Sequence, residues 1–249
     1  MDTTRWSEGK VTALRQWTEA LYSVQVQAEV EPFQAGQFTK LGMEIDGEFI
    51  ERPYSYVNPP GARTLEFYFV TVPDGPLTQK LIGLRSADTL WVKRKPAGFL
   101  TLAEIPPARH LWMLATGTGI GPFLSILQTA EPWSRFEKIV LVHAVRFAAE
   151  LSYRETIEAL REQHAGQFEY IPFVSREDTD YALSGRVPAA IVDHSLEQAA
   201  GLAINPELSQ AMICGNPAMV EETSRVLQER GLLRNRRRTP GHITVENYW

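Results

Sequence analysis

A short apolar segment that leads directly into a glycine-rich turn constrains the fold of this chain more than any other feature. Residues 111–115 are apolar and predict a buried strand, and the turn Thr-Gly-Thr-Gly-Ile-Gly follows at once. Pro122 comes next and suits the first turn of a helix, where its missing N–H costs nothing. A strand, a glycine turn and a helix in this order point free backbone N–H groups towards one place, which suits the phosphates of a nucleotide.

The glycine spacing departs from the dinucleotide-binding fingerprint at one position. That fingerprint places glycines at the equivalents of 117, 119 and 122, whereas this chain has Pro122 at the third and Gly121 one residue earlier. Gly117 and Gly119 still permit a close approach of the backbone. Two interpretations therefore stay open for this segment alone, a nucleotide-binding turn and a turn that binds nothing.

Composition and charge narrow the class of protein. The 249 residues suffice for two domains, and 44% hydrophobic with 22% charged residues is typical of a globular chain. A net charge of −5 disfavours binding to nucleic acid. The single cysteine, Cys214, excludes an internal disulfide, and neither it nor the scattered histidines predict a metal site. Without a signal peptide or a membrane segment, the sequence predicts a cytoplasmic protein.

The first part of the chain predicts antiparallel β structure. Its segments are short, rich in β-branched and aromatic residues, and separated by turns such as Asp46-Gly47. One helical pattern interrupts them after Pro73-Asp-Gly-Pro76. Six short strands in about a hundred residues favour a small antiparallel β-barrel. The strands are expected at residues 11–17, 21–28, 37–45, 49–57, 65–72 and 89–93.

The pattern changes near Pro106-Pro107, after which strands and helices alternate. Such alternation predicts βαβ units around a parallel sheet. We therefore expect two domains, a six-stranded barrel over residues 1–105 and an α/β domain over residues 106–249. Strands are expected at residues 111–115, 139–144, 168–174 and 211–214, and helices at residues 122–129, 149–164 and 218–230.

A polar motif, Arg52-Pro-Tyr-Ser55, lies within one of the predicted strands. Strand alternation places Arg52 and Tyr54 on one face and Pro53 and Ser55 on the other. A guanidinium, an aromatic ring and a hydroxyl this close together can bind a phosphate and a planar ring. An edge strand in which Pro53 prevents further pairing fits the same residues equally well.

An ordered set of motifs resembles the ferredoxin/flavodoxin–NADP⁺ reductases, in particular the bacterial type with FAD. The resemblance covers essentially the whole chain. It implies a flavin-binding antiparallel barrel followed by a nucleotide-binding α/β domain, in agreement with the element pattern. The motifs are Arg52-Pro-Tyr-Ser55, the helix start at residues 75–78, the turn at residues 117–122, Cys214-Gly-Asn-Pro217 and the aromatic pair Tyr248 and Trp249.

For FAD, the resemblance implies a site in the barrel. Arg52 would contact the pyrophosphate, Tyr54 would lie against the isoalloxazine, and Ser55 would lie near its reactive N5. Tyr248 would cover the isoalloxazine, and Trp249 would cover the adenine. The remaining flavin contacts are expected from Pro53, Phe69, Val70, Thr71, Val72, Gly75, Leu77 and Thr78.

For NADP(H), the resemblance implies a site in the α/β domain. Ser175, Arg176 and Arg186 match the family's 2′-phosphate site, where arginines pair bidentately with phosphate and select NADPH over NADH. Solvated loop arginines are the alternative interpretation. Three more residues are expected near the two cofactors, Thr118, His143 and Ala144.

Four residues are expected to act in catalysis, and Ser55 is the first. Cys214 would lie beside the nicotinamide, although its spacing alone indicates an inert core residue. Glu246 resembles the carboxylate that tunes flavin protonation in plant-type relatives, whose ending this chain exceeds by one residue. Tyr248 would occupy the place of the nicotinamide on the flavin and so act as a gate.

The implied reaction is hydride transfer from C4 of NADPH to flavin N5, followed by electron transfer to ferredoxin or flavodoxin. The basic loop Arg234-Asn-Arg-Arg-Arg238 would steer these acidic carriers. A monomer is expected. Two alternatives stay open, a reductase component that serves an oxygenase and a redox sensor that binds flavin or nucleotide.

Overall fold

A computed structural model describes residues 4–248 and arranges their strands in two six-stranded sheets. The first sheet is antiparallel, with the strand order β4-β3-β6-β1-β2-β5. An isolated bridge between Tyr56 and Phe67 joins its two edges, so the sheet curls into the expected barrel-like shape. Its strands are β1 (Trp6–Gln16), β2 (Leu21–Gln27), β3 (Phe38–Ile45), β4 (Glu48–Ser55), β5 (Leu65–Val70) and β6 (Thr89–Lys93).

The curled sheet encloses an apolar core. Leu41, Phe67 and Leu90 are fully buried in it, and helix α1 (Pro76–Leu81) adds Leu77 and Leu81. β1 begins five residues before the expected position, at Trp6 instead of residue 11. Its first half pairs with β6, while its second half pairs with β2. The first half was not predicted because most of its residues are polar and it has no clear hydrophobic pattern.

The second sheet is parallel throughout, with the order β10-β9-β8-β7-β11-β12. The four expected strands form its centre, and two edge strands were not expected. Because β8 lies on one side of β7 and β11 on the other, the strand order reverses between β7 and β11. The strands are β7 (His110–Thr116), β8 (Lys138–Val145), β9 (Phe168–Val174), β10 (Leu183–Ser184), β11 (Ser209–Gly215) and β12 (Ile243–Asn247).

Helices cover both faces of the parallel sheet. The helix expected from residue 149 begins only at Arg154, because residues Ala148–Glu150 form a separate 3₁₀ turn. None of the helices in the described residues combines the length and apolar character needed to cross a bilayer. The helices are α2 (Gly121–Leu127), α3 (Glu131–Arg135), α4 (Arg154–Gln163), α5 (Val187–Val192), α6 (Ser195–Ala200) and α7 (Pro217–Glu229).

The two sheets are joined by hydrogen bonds as well as by apolar contact. On α2, the hydroxyl of Ser125 donates to the carbonyl oxygen of Asn58 at 2.8 Å. Just before α4, the hydroxyl of Tyr153 donates to the Glu66 carboxylate at 2.7 Å. These contacts bring the carboxyl ends of the parallel strands against the curled sheet.

Candidate active site

A cleft of about 520 Å³ opens where the two sheets meet. Most of its wall comes from residues at or just after the carboxyl ends of the parallel strands, while Leu21 and Val70 contribute from the curled sheet. A crevice where the strand order reverses is the usual ligand site of a parallel α/β sheet. Of the residues expected to bind a cofactor, the cleft contains Val70, Thr118, Ala144, Ser175, Arg176, Arg186 and Tyr248.

The glycine turn in the wall of this cleft is held against the neighbouring strand. Residues Gly117–Ile120 form one turn of 3₁₀ helix directly after β7, and α2 begins at Gly121. A Cβ on Gly119 would lie 2.5 Å from the carbonyl oxygen of Cys214, so only glycine fits there. Gly117 has a φ of +52°, in the left-handed region that favours glycine. Gly119 therefore lets the turn pack closely against β11, and Gly117 permits its backbone conformation.

The ends of β7 and β11 are joined by two residues of the sequence motifs that had no role assigned to them, Thr116 and Asn216. The hydroxyl of Thr116 accepts a hydrogen bond of 2.9 Å from the backbone N–H of Asn216. The Asn216 side chain in turn caps α7 by accepting from the N–H of Ala218 at 3.0 Å. An asparagine before Pro217 and an apolar helical segment is the sequence signal that predicts such a cap.

The four residues expected to act in catalysis come together beside this junction. The hydroxyl of Tyr248 donates a hydrogen bond of 2.8 Å to Oγ of Ser55. The backbone N–H of Tyr248 donates to the carbonyl oxygen of Gly215 at 2.9 Å. Glu246 lies opposite Cys214 in the ladder between β11 and β12. The group therefore connects the curled sheet with the two strands at the edge of the parallel sheet.

Burial controls the protonation of this group. Oε1 of Glu246 has no hydrogen-bond partner among the described residues, and burial raises the pKa of its carboxyl to about 7. Cys214 is fully buried, and burial together with the charge of Glu246 raises the pKa of its thiol well above the ordinary value. Burial also raises the pKa of the Tyr248 phenol. A neutral thiol and a neutral phenol thus stand beside a carboxyl that changes its charge near neutrality.

Three arginines line the cleft at the ends of neighbouring strands. Arg146 follows β8, Arg176 follows β9, and Arg186 follows β10. Because these strands are parallel neighbours, their carboxyl ends meet at one edge of the sheet. Arg146 was not expected, although it directly follows an apolar strand just as Ser175 and Arg176 do. Three guanidinium groups at one edge form a site suited to phosphate groups.

The motif expected to bind the flavin lies on β4. Arg52 and Pro53 are exposed, and Tyr54 is half-buried. The Tyr54 ring contacts Phe69 edge-on, with 6.1 Å between the ring centroids, and burial raises the pKa of its phenol. An accessible guanidinium and a flat, neutral aromatic ring therefore share the edge strand of the curled sheet, an arrangement that both interpretations of the motif allow.

The loop from β5 to α1 satisfies its own hydrogen bonds. The hydroxyl of Thr78 accepts from the backbone N–H of Val72 at 3.0 Å, and the N–H of Thr71 donates to a carbonyl oxygen before β2 at 2.8 Å. These two N–H groups are therefore already engaged within the protein. Of the other residues expected here, the barrel core takes the side chains of Phe69 and Leu77.

His143, which was expected near the nucleotide, is buried behind the glycine turn and does not line the cleft. Its side chain is fully buried, and its Nε2–H donates to the carbonyl oxygen of Gly117 at 3.1 Å. Burial lowers its pKa to about 4, so the imidazole is neutral. His143 therefore supports the glycine turn from below, whereas its neighbour Ala144 lines the cleft.

Two further expectations concern Trp249 and a metal site. Trp249, the residue expected to cover adenine, lies outside residues 4–248. Within that range, no group of histidine, cysteine and acidic side chains has the arrangement to hold a metal ion.

This combination of a curled antiparallel sheet, a parallel sheet and a cleft between them defines a class of nucleotide-dependent oxidoreductase. Residues 113–225 match the family model of the oxidoreductase NAD-binding domain. A flavodoxin/ferredoxin–NADP reductase of Escherichia coli (strain K12) is 51% identical to the chain over 245 residues, which cover 98% of this chain and 99% of that protein. The chain belongs to the flavodoxin/ferredoxin–NADP reductase family.

Two further relatives agree with this assignment. A ferredoxin–NADP reductase of Pseudomonas aeruginosa is 38% identical over 247 residues, which cover 95% of each protein. The crystal structure of a ferredoxin NADP⁺ reductase from Neisseria gonorrhoeae, with bound FAD and NADP, is similar with a TM-score of 0.93. That similarity covers 98% of both chains at 36% sequence identity.

Proposed function

We propose that this chain is an FAD-dependent oxidoreductase that transfers electrons between NADPH and a one-electron carrier, ferredoxin or flavodoxin. The observation that carries the proposal is one cleft that contains both Tyr248, bonded to Ser55, and the three strand-end arginines. The neisserial reductase, which binds FAD and NADP together, supports two cofactors in a cleft of this kind.

In this proposal, each of the two sheets belongs to a domain that binds one cofactor. Residues 1–105 form the FAD-binding domain, and residues 106–249 form the NADP-binding domain. The last strand, β12, returns the chain to the junction, where Tyr248 reaches Ser55 of the flavin domain. The hydrogen bonds from Ser125 to Asn58 and from Tyr153 to Glu66 join these two domains.

The residues of the curled sheet fit FAD. Arg52 is exposed, so its guanidinium is available to a pyrophosphate, and the half-buried ring of Tyr54 offers a flat surface to an isoalloxazine. The orphaned Oε1 of Glu246 adds a buried polar atom that has no partner within residues 4–248. Gly98 stands next to Glu246, since a Cβ there would lie 3.2 Å from its Oε2. A polar ligand edge would satisfy that carboxyl.

The residues at the edge of the parallel sheet fit NADPH. Arg146, Arg176 and Arg186 supply charged donors for its phosphates, and Ser175 adds a hydroxyl. The 2′-phosphate, which NADH lacks, is the group that two adjacent arginine-bearing loops would recognise. Thr118 in the glycine turn also lines the path between the arginines and Tyr248 in the cleft wall.

When bound, FAD supplies the conversion between a two-electron hydride and single electrons. The residues of the protein position the two cofactors and control the protonation of groups beside them. In this proposal the Tyr248 ring would take the place of a second planar ring against the flavin, and its hydrogen bond to Ser55 would hold it there. Cys214 is neutral and buried, so it shapes the site by contact and does not act as a nucleophile. Glu246, with a pKa raised to about 7, holds or releases a proton close to neutral pH.

The carrier is the third component of the proposal. The exposed arginines of the loop from residue 234 to residue 238 give an acidic ferredoxin or flavodoxin a complementary surface. We also propose that the enzyme is cytoplasmic and acts as a monomer. Analytical ultracentrifugation of the purified protein tests its oligomeric state. A concentration-dependent rise in its mass would contradict the monomer.

The decisive experiment is spectroscopic. The purified protein is expected to be yellow, to release FAD on denaturation, and to bleach on anaerobic addition of NADPH. Addition of an oxidised ferredoxin or flavodoxin is then expected to restore the flavin absorption as the carrier becomes reduced. Release of FMN would contradict the assigned cofactor. A protein that binds FAD but is not reduced by NADPH would instead be a flavin-binding sensor.

A further inference from the structure

Two of the three cleft arginines face a carboxylate in the ligand-free structure. Nη2 of Arg146 lies 2.8 Å from Oε1 of Glu150, and Nη2 of Arg186 lies 2.7 Å from Oε2 of Glu222. Arg186 follows β10, whereas Glu222 lies on α7, which follows β11. The second pair therefore joins two elements at the nucleotide edge of the sheet.

The two carboxylates have different surroundings. Glu150 also accepts hydrogen bonds from the backbone N–H groups of Arg146 at 2.9 Å and Phe147 at 3.3 Å, and its side chain is only 14% exposed. Glu150 therefore holds the turn after β8 in place. The Glu222 side chain is 40% exposed as a whole, whereas its Oε2 is buried and makes no hydrogen bond of good geometry with the described residues. Its contact with Arg186 is a contact between charges.

We propose that Glu222 limits the affinity of this cleft for 2′-phosphorylated nucleotides. The inference rests on the proposed function, in which Arg186 receives the 2′-phosphate of NADPH. A carboxylate and a phosphate compete for the same guanidinium, and they repel one another when both are near it. An ion pair as exposed as this one is weak, so Glu222 does not prevent binding. It lowers the affinity and thereby hastens release of the oxidised coenzyme.

The chain offers a matched control on the same helix. Glu221 is exposed and is displaced from Glu222 by about 100° around α7. Replacing Glu221 by Gln removes the same charge without touching the pair with Arg186. The test titrates adenosine 2′-monophosphate and adenosine 5′-monophosphate into the FAD-loaded protein by calorimetry, with wild type, Glu222→Gln and Glu221→Gln compared at low salt.

The expected result is specific to one ligand and one variant. Glu222→Gln should bind adenosine 2′-monophosphate about threefold more tightly than wild type, the size expected for an exposed ion pair. Its affinity for the 5′-monophosphate should not change, and Glu221→Gln should match wild type for both ligands. The gain should shrink in about 0.5 M salt, because added ions screen the repulsion.

Each other outcome overturns the inference. Weaker binding by Glu222→Gln would mean that Glu222 holds Arg186 in its binding position, and equal gains in both variants would mean a general effect of net charge. Unchanged binding, in a wild type that prefers the 2′-monophosphate, removes the inference and leaves the proposed function intact. A wild type that does not distinguish the two nucleotides contradicts the NADPH preference itself, and the inference fails with it.

Discussion

The hydroxyl of Tyr248 donates a hydrogen bond of 2.8 Å to Oγ of Ser55, and this contact joins the last described residue to the curled sheet. Tyr248 is fixed at a second point, since its backbone N–H bonds to the carbonyl oxygen of Gly215. The phenol ring is therefore held over the junction of the two sheets by a bond at each end. We propose that a planar ligand that enters the cleft from the arginine side displaces this ring.

Replacing Tyr248 by Ser is expected to tighten the binding of NADP⁺ to the FAD-loaded enzyme. The nicotinamide then no longer competes with a ring that is worth about 0.5–1.5 kcal/mol in stacking, so we expect a gain of about 2- to 10-fold. Turnover should fall, because a nicotinamide that stays in place slows product release. Spectral titration with NADP⁺ measures the affinity and any charge-transfer absorption.

Tyr248→Phe is the matched control for this prediction. It keeps the ring and loses only the hydrogen bond to Ser55. If the ring is the obstacle, this variant should bind NADP⁺ much more like wild type than the serine variant does. Equal NADP⁺ affinity in wild type and Tyr248→Ser, with FAD retained, would show that Tyr248 has only a structural role.

Replacing Arg176 by Ala is expected to reduce the preference for NADPH. A lost charge-assisted contact with phosphate costs about 1.5–3 kcal/mol, which raises the KM for NADPH about 10- to 100-fold. The KM for NADH should hardly change, because that coenzyme has no 2′-phosphate. Arg161→Ala, which removes an exposed guanidinium from α4, serves as the control in steady-state assays. A similar loss with both coenzymes would place Arg176 outside the 2′-phosphate site.

Glu246 is expected to make stability depend on pH. Its pKa lies at about 7 in the folded protein against an ordinary value of 4.5, so the folded state holds the proton more tightly than the unfolded state. The stabilisation by this proton is complete below about pH 4.5 and is lost as the pH rises through about 7. Wild type should therefore lose about 2 kcal/mol relative to Glu246→Gln between about pH 5 and pH 8.

Urea unfolding at several pH values, followed by tryptophan fluorescence, measures this difference. Glu221→Gln, which removes an exposed carboxylate from α7, is the control and should follow wild type. A constant difference between wild type and Glu246→Gln across the range would mean that the carboxyl is not perturbed in the folded protein.

The central strands could be predicted because both of their faces are buried. Residues 111–115 and 139–142 are continuous apolar runs, and such runs identify the inner strands of a parallel sheet. β10 has only two residues, and β12 alternates polar and apolar residues at an edge. Both are strands because β9 and β11 stand beside them, and a local pattern contains no information about that pairing.

The site also contains residues that could be predicted from the sequence and residues that could not. Ser55 and Tyr248 lie far apart in the chain, and only the family resemblance predicted that they would meet. Arg146 could be assigned to the site only after the structure showed which strands are neighbours. His143 was assigned from its position at the end of a strand, but its side chain points into the buried face of the sheet. Which face a residue occupies in a strand buried on both sides cannot be read from alternation.

The basic loop provides the last prediction, and the structure separates its arginines. Arg237 is engaged within the protein, since Nη2 lies 2.9 Å from the Glu104 carboxylate and the guanidinium lies 4.2 Å from the centroid of the Phe99 ring. Its side chain therefore anchors the loop. Arg234, Arg236 and Arg238 are exposed and are the charges available to steer an acidic carrier.

Replacing Arg236 and Arg238 together by Gln is expected to lower kcat/KM for a ferredoxin or flavodoxin about 3- to 10-fold at low ionic strength. The deficit should largely disappear in about 0.5 M salt, where charges on the surface are screened. Activity with ferricyanide, a small acceptor that needs no docking surface, should change much less. The control pair Arg161→Gln and Arg225→Gln removes two exposed guanidinium groups elsewhere and should leave the carrier reaction unchanged. A loss that is independent of salt and equal for both acceptors would mean that the loop affects folding or flavin binding and has no part in steering.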